Sequence, residues 1–236
     1  MLDGWWIADL WAGPRGKVFV VSWIVWVVGS IVLHELAHGW AALSRGDQTP
    51  RVTGHMTWNP VVHMGQMSLI VFLLVGVAWG AMPVSPSRMR GRWGPTIVSA
   101  AGPAMNLAIA VIAMLLAVLW LGLAGGAPEP LRTNVHIFLS LGAMLNLVLM
   151  ALNLLPIPPL DGGRIAMDIS HAYRRMLTTE HAQWVAIGAF LLLLYAGGRF
   201  IFGFGQTVSQ FVIFELGERL GDATGMGIPR GVELPI

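Results

Sequence analysis

The chain has 236 residues, of which 56% are hydrophobic and only 11% charged, and its mean hydropathy is +0.69. A soluble domain carries roughly 25% charged residues, so this composition describes an integral membrane protein and excludes a soluble one. The formal net charge of +2, with no basic stripe, gives no footing for nucleic acid, and the lack of cysteine excludes disulfides and thiolate metal sites, leaving His, Asp and Glu as ligands.

Residues 1–16 carry Asp3 and Asp9 and no basic leader, so they do not read as a signal peptide. Their tryptophans predict a short helix lying at the membrane interface. The apolar segment 17–44 exceeds the ~20 residues needed to cross ~30 Å of hydrocarbon. Arg45 and Gly46 mark its end. Residues 48–63 are polar, rich in turn residues and partly alternating, which predicts a small membrane-associated β-hairpin. Residues 66–82 are apolar but short, and Gly76 and Gly80 interrupt them, so they read as a re-entrant segment or a short span.

Further spans are expected over 95–124, 135–155 and 183–204. The loop 156–164, "IPPLDGG" at its centre, is too rich in Pro and Gly to continue a helix. Residues 165–176 read as an amphipathic helix, and the tail 205–236 starts amphipathic and ends irregular. The whole reads as one all-α polytopic domain of about four to six transmembrane helices, with no internal repeat.

The polar residues of the first span carry the chemistry. In "HELAHG", His34 and His38 are four residues apart, so on a helix they share one face and can grip one metal ion. Glu35 lies beside that face. This is the H-E-x-x-H arrangement of zinc hydrolases. Zinc lowers the pKa of bound water towards ~7, and the carboxylate takes the water's proton and passes it to the leaving amine. The alternative is a buried polar cluster that bonds neighbouring helices. Ionisable residues in a span default to function, because they are costly to keep there.

A catalytic zinc needs three protein ligands and one open position. Asp161 is the leading third candidate, held in the Pro/Gly break directly after a span. Irregular backbone at membrane depth is tolerated only where it is buried or lines a wet cavity. His55, His63, Asp168 and His171 are rivals. Asp168 and His171 fall on the amphipathic helix, where solvation is the default, while His55 and His63 flank the expected hairpin and suit an outer role around the metal.

"HELAHG", then "AGPAMN", then "NLLPIPPLDGG", in this order over most of residues 30–165, resemble the site-2 protease family of intramembrane zinc metalloproteases. The region 46–63 further resembles the short bacterial members that lack PDZ and CBS domains. Those members commonly have a basic residue where His55 stands and an acidic one where Gly65 stands. The resemblance implies one Zn2+ per chain held by His34, His38 and Asp161, with Glu35 as catalytic base. It puts Asn153 near the site, where its amide can hold substrate backbone or the developing oxyanion. Asn106, in "AGPAMN", is a second such candidate, with a plain helix–helix hydrogen bond as the alternative. Gly102 and Pro103 read as close packing or a kink. The strand expected around Val52–Trp58 offers an edge for an unwound substrate.

The implied function is regulated intramembrane proteolysis in a bacterial cytoplasmic membrane, on a transmembrane protein substrate within the lipid bilayer. The rivals are a catalytically silent binder of the same fold and a metal transporter, which would spread its ligands along a path. Sidedness follows from the metal. His34 and His38 lie near the C-terminal end of the first span, and Asp161 follows the C-terminal end of the fourth apolar run. If 66–82 crossed fully, those two ends would emerge on opposite faces. A re-entrant 66–82 unites them, and it gathers Arg45, Arg51, Arg88, Arg90, Arg92, Arg164, Arg174 and Arg175 on that face. The positive-inside rule makes that face cytosolic.

Overall fold

A computed structural model of the chain describes residues 7, 11–13, 15–177 and 179–224. The expected interfacial helix over 1–16 and the end of the tail fall largely outside the described residues. Helix α1, Gly16–Ser44, is 29 residues long, or about 43 Å at 1.5 Å per residue, so it must tilt to fit the bilayer. It stops where Gly46 takes a φ of 94°, a conformation that favours glycine. Asp47 follows and is fully buried. Its carboxylate accepts from Thr49 N at 3.0 Å and from Ser85 N at 2.6 Å, while Arg90 N donates to Arg45 O at 2.7 Å. Burial alone would raise the Asp47 pKa, but the donors from Ser85 and Thr49 outweigh it and hold the carboxyl below its ordinary range. This clasp ties the loop near 85–90 to the end of α1.

The expected β-hairpin over 48–63 is not present. Thr49–Val52 forms a single helical turn, α2, with Pro50 in its first turn, and bends and turns lead on from it. Gly54, with φ 75°, breaks the run, and no neighbouring strand is there to repay an extended conformation. Val52 and Trp58 are left exposed.

Helix α3, Pro60–Val75, starts on an Asn59 cap whose side chain accepts from Val61 N at 3.0 Å. It kinks at Gly65, where φ is 67°. It ends at Gly76 in the left-handed region, and the chain then runs back beside it without helix. Ser68 Oγ donates to Trp79 O at 2.7 Å and accepts from Trp79 N at 2.9 Å, and Ala81 N donates to His63 O at 2.9 Å. The segment therefore enters and returns at one level. Trp23 Nε1 fastens its tip to α1 through Gly76 O at 3.4 Å. Met64 and Phe72 pack into a core with Phe19, Val27, Ile31, Ile137, Leu141 and Met144.

Helices α4, Gly94–Leu123, and α5, Glu129–Asn153, pack closely because small side chains face each other: Ala110, Ala113 and Ala117 meet Ala143 in one core. Gly142 of α5 lies flat against the Trp26 ring, whose Nε1 donates to Phe138 O at 2.7 Å. The short helices α6, Asp161–Ile169, and α7, His171–Leu177, lead to α8, Glu180–Thr224. The helix expected to end at 204 continues to 224, since no proline interrupts it, and its span-like part is Ala196–Arg219. Gly205 seats α8 on α5, with a Cβ there only 2.9 Å from Met144 O.

Among the described residues four helices are long and apolar enough to cross a membrane: Gly16–Ser44, Gly94–Gly126, Glu129–Asn153 and Ala196–Arg219. Three of them precede Asp161, so the C-terminal ends of α1 and α5 share a face. Single cysteines at Ser44 and Ser87, both exposed, should react with a membrane-impermeant reagent from the same side, and a cysteine at the exposed Leu131 from the other. Labelling of positions 44 and 87 from opposite faces would mean that the α3 segment crosses.

Candidate metal centre

His34 and His38 stand one turn apart on α1 and meet Asp161 at the first turn of α6. The two Nε2 atoms are 3.0 Å apart, and Asp161 Oδ2 lies 3.1 Å from that of His34 and 3.2 Å from that of His38. All three residues are buried. Among the described residues this is the cluster of His, Asp and Glu able to hold an ion.

The donor set fits zinc. His38 Nδ1 lies 2.6 Å from Val98 O, a carbonyl that can only accept, so Nδ1 carries the proton and Nε2 offers its lone pair to the centre. His34 Nδ1 lies 2.6 Å from Asn106 Oδ1. Asp161 Oδ2 is buried with no hydrogen-bond donor. Three acceptor atoms aimed at one point suit a cation. Ligands held ~2.0–2.1 Å from a tetrahedral zinc lie ~3.3 Å apart, within a few tenths of the spacing here.

Glycines make the convergence possible. A Cβ on Gly102 of α4 would come within 2.5 Å of both Nε2 atoms, so only glycine lets the α4 backbone pass this close. Pro103 removes an intrahelical donor beside it, at the level where His38 reaches the Val98 carbonyl. A Cβ on Gly162 would collide with the carbonyls of Leu154 and Leu155, and one on Gly163 would lie 2.5 Å from Pro158 N. The "DGG" run thus lets α6 start against the end of α5, which delivers Asp161 to the histidines.

Glu35 is buried beside this set, in electrostatic reach of His34, Asp161 and Arg164. The returning chain crosses directly over it: a Cβ on Gly80 would be 2.6 Å from Glu35 Oε1. The other candidates make different contacts. His63 is buried and its Nε2 bonds Thr57 O at 2.7 Å; His55 folds onto Thr53, with Nδ1 3.0 Å from its hydroxyl. Their rings meet edge-on with centroids 6.5 Å apart, and neither belongs to the ligand cluster. Asp168 pairs with Arg174 at 2.9 Å and accepts from Thr96, and His171 is exposed. Asn153 donates to Leu149 O of its own helix at 3.0 Å. Asn106 is fully buried, with its oxygen on His34 and its amide nitrogen on Asn146 at 3.0 Å. Its amide lies in the protein interior, with one N–H given to Asn146.

Sequence reading missed Asn146, Val98 and Gly80. Asn146 carried a usable signal, an amide in an otherwise apolar span. Val98 acts through its backbone, and Gly80 through having no side chain. Gly102→Ala should weaken zinc binding about 10–100-fold while the helical content stays, because ring nitrogens anchored at Nδ1 cannot retreat. Asp161→Ala should lose zinc in metal analysis of the purified protein, and Asp168→Ala should keep it. Equal zinc in both would remove Asp161 from the ligand set.

The comparisons with known proteins agree with this geometry. The model of peptidase family M50 matches residues 22–136 and 128–196. YwhC of Bacillus subtilis, named as a zinc metalloprotease, is 37% identical over 149 residues, covering 62% of this chain and 68% of its own. Rip2 of Mycolicibacterium smegmatis, also so named, is 31% identical over 207 residues, covering 84% of this chain and 76% of its own. No solved structure matches the chain. With an H-E-x-x-H helix, an aspartate beside its histidines and most of the chain inside the match, the protein belongs to peptidase family M50, the site-2 protease family of membrane zinc metalloproteases.

Proposed function

We propose that the protein is an intramembrane endopeptidase that hydrolyses peptide bonds within or near transmembrane segments of other membrane proteins. The observation that carries this is the depth of the ligand cluster. His34 lies about 15 Å along the axis from the end of α1, inside a bundle of membrane-length helices. His34 Nε2, His38 Nε2 and Asp161 Oδ2 would hold the zinc. Bound there, zinc supplies a Lewis acid that polarises a carbonyl and makes water nucleophilic near neutral pH.

The chain's own groups do the rest. Glu35 accepts the proton that the attacking water loses and delivers it to the amide nitrogen of the leaving strand, so one O–H bond and one C–N bond break while one C–O and one N–H form. The carboxylate is suited to this because, among the described residues, no hydrogen bond occupies it. A substrate helix must unwind first, since its carbonyls are otherwise hydrogen-bonded within it. The edge for the unwound chain is the non-helical stretch 77–85 rather than the region 52–58, because its Gly80 lies against Glu35. Backbone pairing along such an edge gives affinity without demanding a sequence.

The arginines gathered at the metal-proximal end, including Arg45, Arg88, Arg90 and Arg164, support a cytoplasmic membrane orientation with the site nearer the cytosol. A transporter would need ligand sets along a path; among the described residues the ligands converge at one point.

Glu35→Gln should keep zinc and lower cleavage of a model membrane substrate at least ~10²-fold. Gly80→Ala should also keep zinc yet slow cleavage, because its methyl would push on the Glu35 carboxylate. Cleavage by a zinc-loaded Glu35→Gln protein at the wild-type rate would remove Glu35 from the reaction.

A further inference from the structure

The two histidines are held differently. His38 gives its Nδ1 proton to a backbone carbonyl, Val98 O, which is fixed by the helix and can only accept. His34 faces a side-chain amide, Asn106, at 2.6 Å. An amide has two ends of nearly the same shape and opposite hydrogen-bonding character. Turned one way, it presents oxygen, Nδ1 is protonated and Nε2 offers its lone pair to the metal. Turned the other way, it presents NH2, the proton moves to Nε2, and the ligand atom is blocked.

Something must fix the turn, and the structure contains a chain of hydrogen bonds that does so. Asn146 Nδ2 donates to Gly142 O at 2.9 Å and to Ser30 Oγ at 2.9 Å. Gly142 O can only accept, so the group facing it is the NH2 of Asn146 and the opposite end is oxygen. That oxygen accepts from Asn106 Nδ2 at 3.0 Å. The NH2 of Asn106 is thereby committed, and its oxygen is left for His34. Asn106 and Asn146 are fully buried and Ser30 is 1% exposed, so water cannot substitute for any link.

We infer that Asn146, which touches neither the metal ligands' Nε2 atoms nor Asp161, is a positioning residue that sets the metal-binding tautomer of His34 through Asn106. The direction of every bond in the relay descends from one backbone carbonyl, Gly142 O, across three helices: α5 to α4 to α1. The inference rests on the reading of His34, His38 and Asp161 as a zinc centre.

The relay makes a rescue prediction that a packing role does not. Asn146→Leu keeps the shape but removes the acceptor for Asn106, so either end of that amide can face His34. Zinc affinity, measured by chelator competition on the metal-free full chain in detergent, should fall about 10–100-fold. Asn106→Asp alone should bind zinc more weakly than wild type, because its second oxygen would face the Asn146 oxygen, acceptor against acceptor. Combining Asn106→Asp with Asn146→Leu should return affinity to within a few-fold of wild type, since a carboxylate needs no orienting. Asn106→Leu, which removes the acceptor altogether, should bind weakly whatever stands at 146. Far-UV circular dichroism and thermal unfolding of the same samples report the fold.

If the double variant binds zinc as poorly as Asn146→Leu alone, Asn146 acts through packing and the relay is overturned. Wild-type affinity in a folded Asn146→Leu protein overturns it equally. An Asn146→Leu chain that fails to fold while the double variant folds and binds zinc supports the relay, because only the orientation of the 106 side chain separates them; failure of both to fold overturns it. Wild-type protein that takes up no zinc removes the centre itself, a different failure that takes the inference with it.

Discussion

Two imidazole lone pairs and a carboxylate oxygen within 3.2 Å of one another repel unless a cation lies among them. In an apolar bundle that repulsion is costly. The rest of the fold is arranged to hold these atoms together. α1 supplies the histidines, α4 supplies the backbone carbonyl and the amide that anchor their outer nitrogens, and the α5–α6 turn supplies the aspartate. Ligand affinity is thereby linked to helix packing, because the groups that orient the rings lie on different helices from the rings themselves.

Close approach is achieved by removing side chains. Gly102 brings α4 onto the ligand atoms, Gly162 and Gly163 bring α6 onto α5, Gly142 admits the Trp26 ring and Gly80 brings the returning chain onto Glu35. At each of these positions an added methyl would meet a ring, a carbonyl or a carboxylate. Membrane bundles lack a hydrophobic drive between helices, so packing of this kind carries much of the cohesion. Here the same contacts also place the groups that do the chemistry.

The segment 60–85 joins architecture to the site. Its outgoing and returning halves lie side by side, with Ala81 N on His63 O, while the ends of α1 and α5 meet at the ligand cluster. Its returning half is non-helical and places Gly80 against Glu35. Non-helical backbone at this depth survives only with local partners, and Ser68 and the His63 carbonyl provide them for Trp79 and Ala81. The Asp47 clasp fixes where the chain emerges.

The sequence by itself determined the membrane class, the apolar helices and the spacing of His34, Glu35 and His38, because composition and a four-residue interval act locally. It also singled out Asp161, since Pro and Gly beside a span rule out a continued helix. The requirement that two ligand-bearing ends meet argues for a segment 66–82 that turns back, and the chain does return beside α3 after Gly76. Local pattern failed at 48–63, where alternating residues have no partner strand and fold as a turn of helix and bends. It failed again at 204, where nothing in the chain stops the last helix. The anchors of the ring nitrogens were decided only by the tertiary structure. Val98 contributes a main-chain oxygen common to any residue, Gly102 and Gly80 contribute the absence of a side chain, and Asn146 acts through a second amide on another helix. Their roles exist only in the contacts between α1, α4 and α5, which local sequence pattern does not encode.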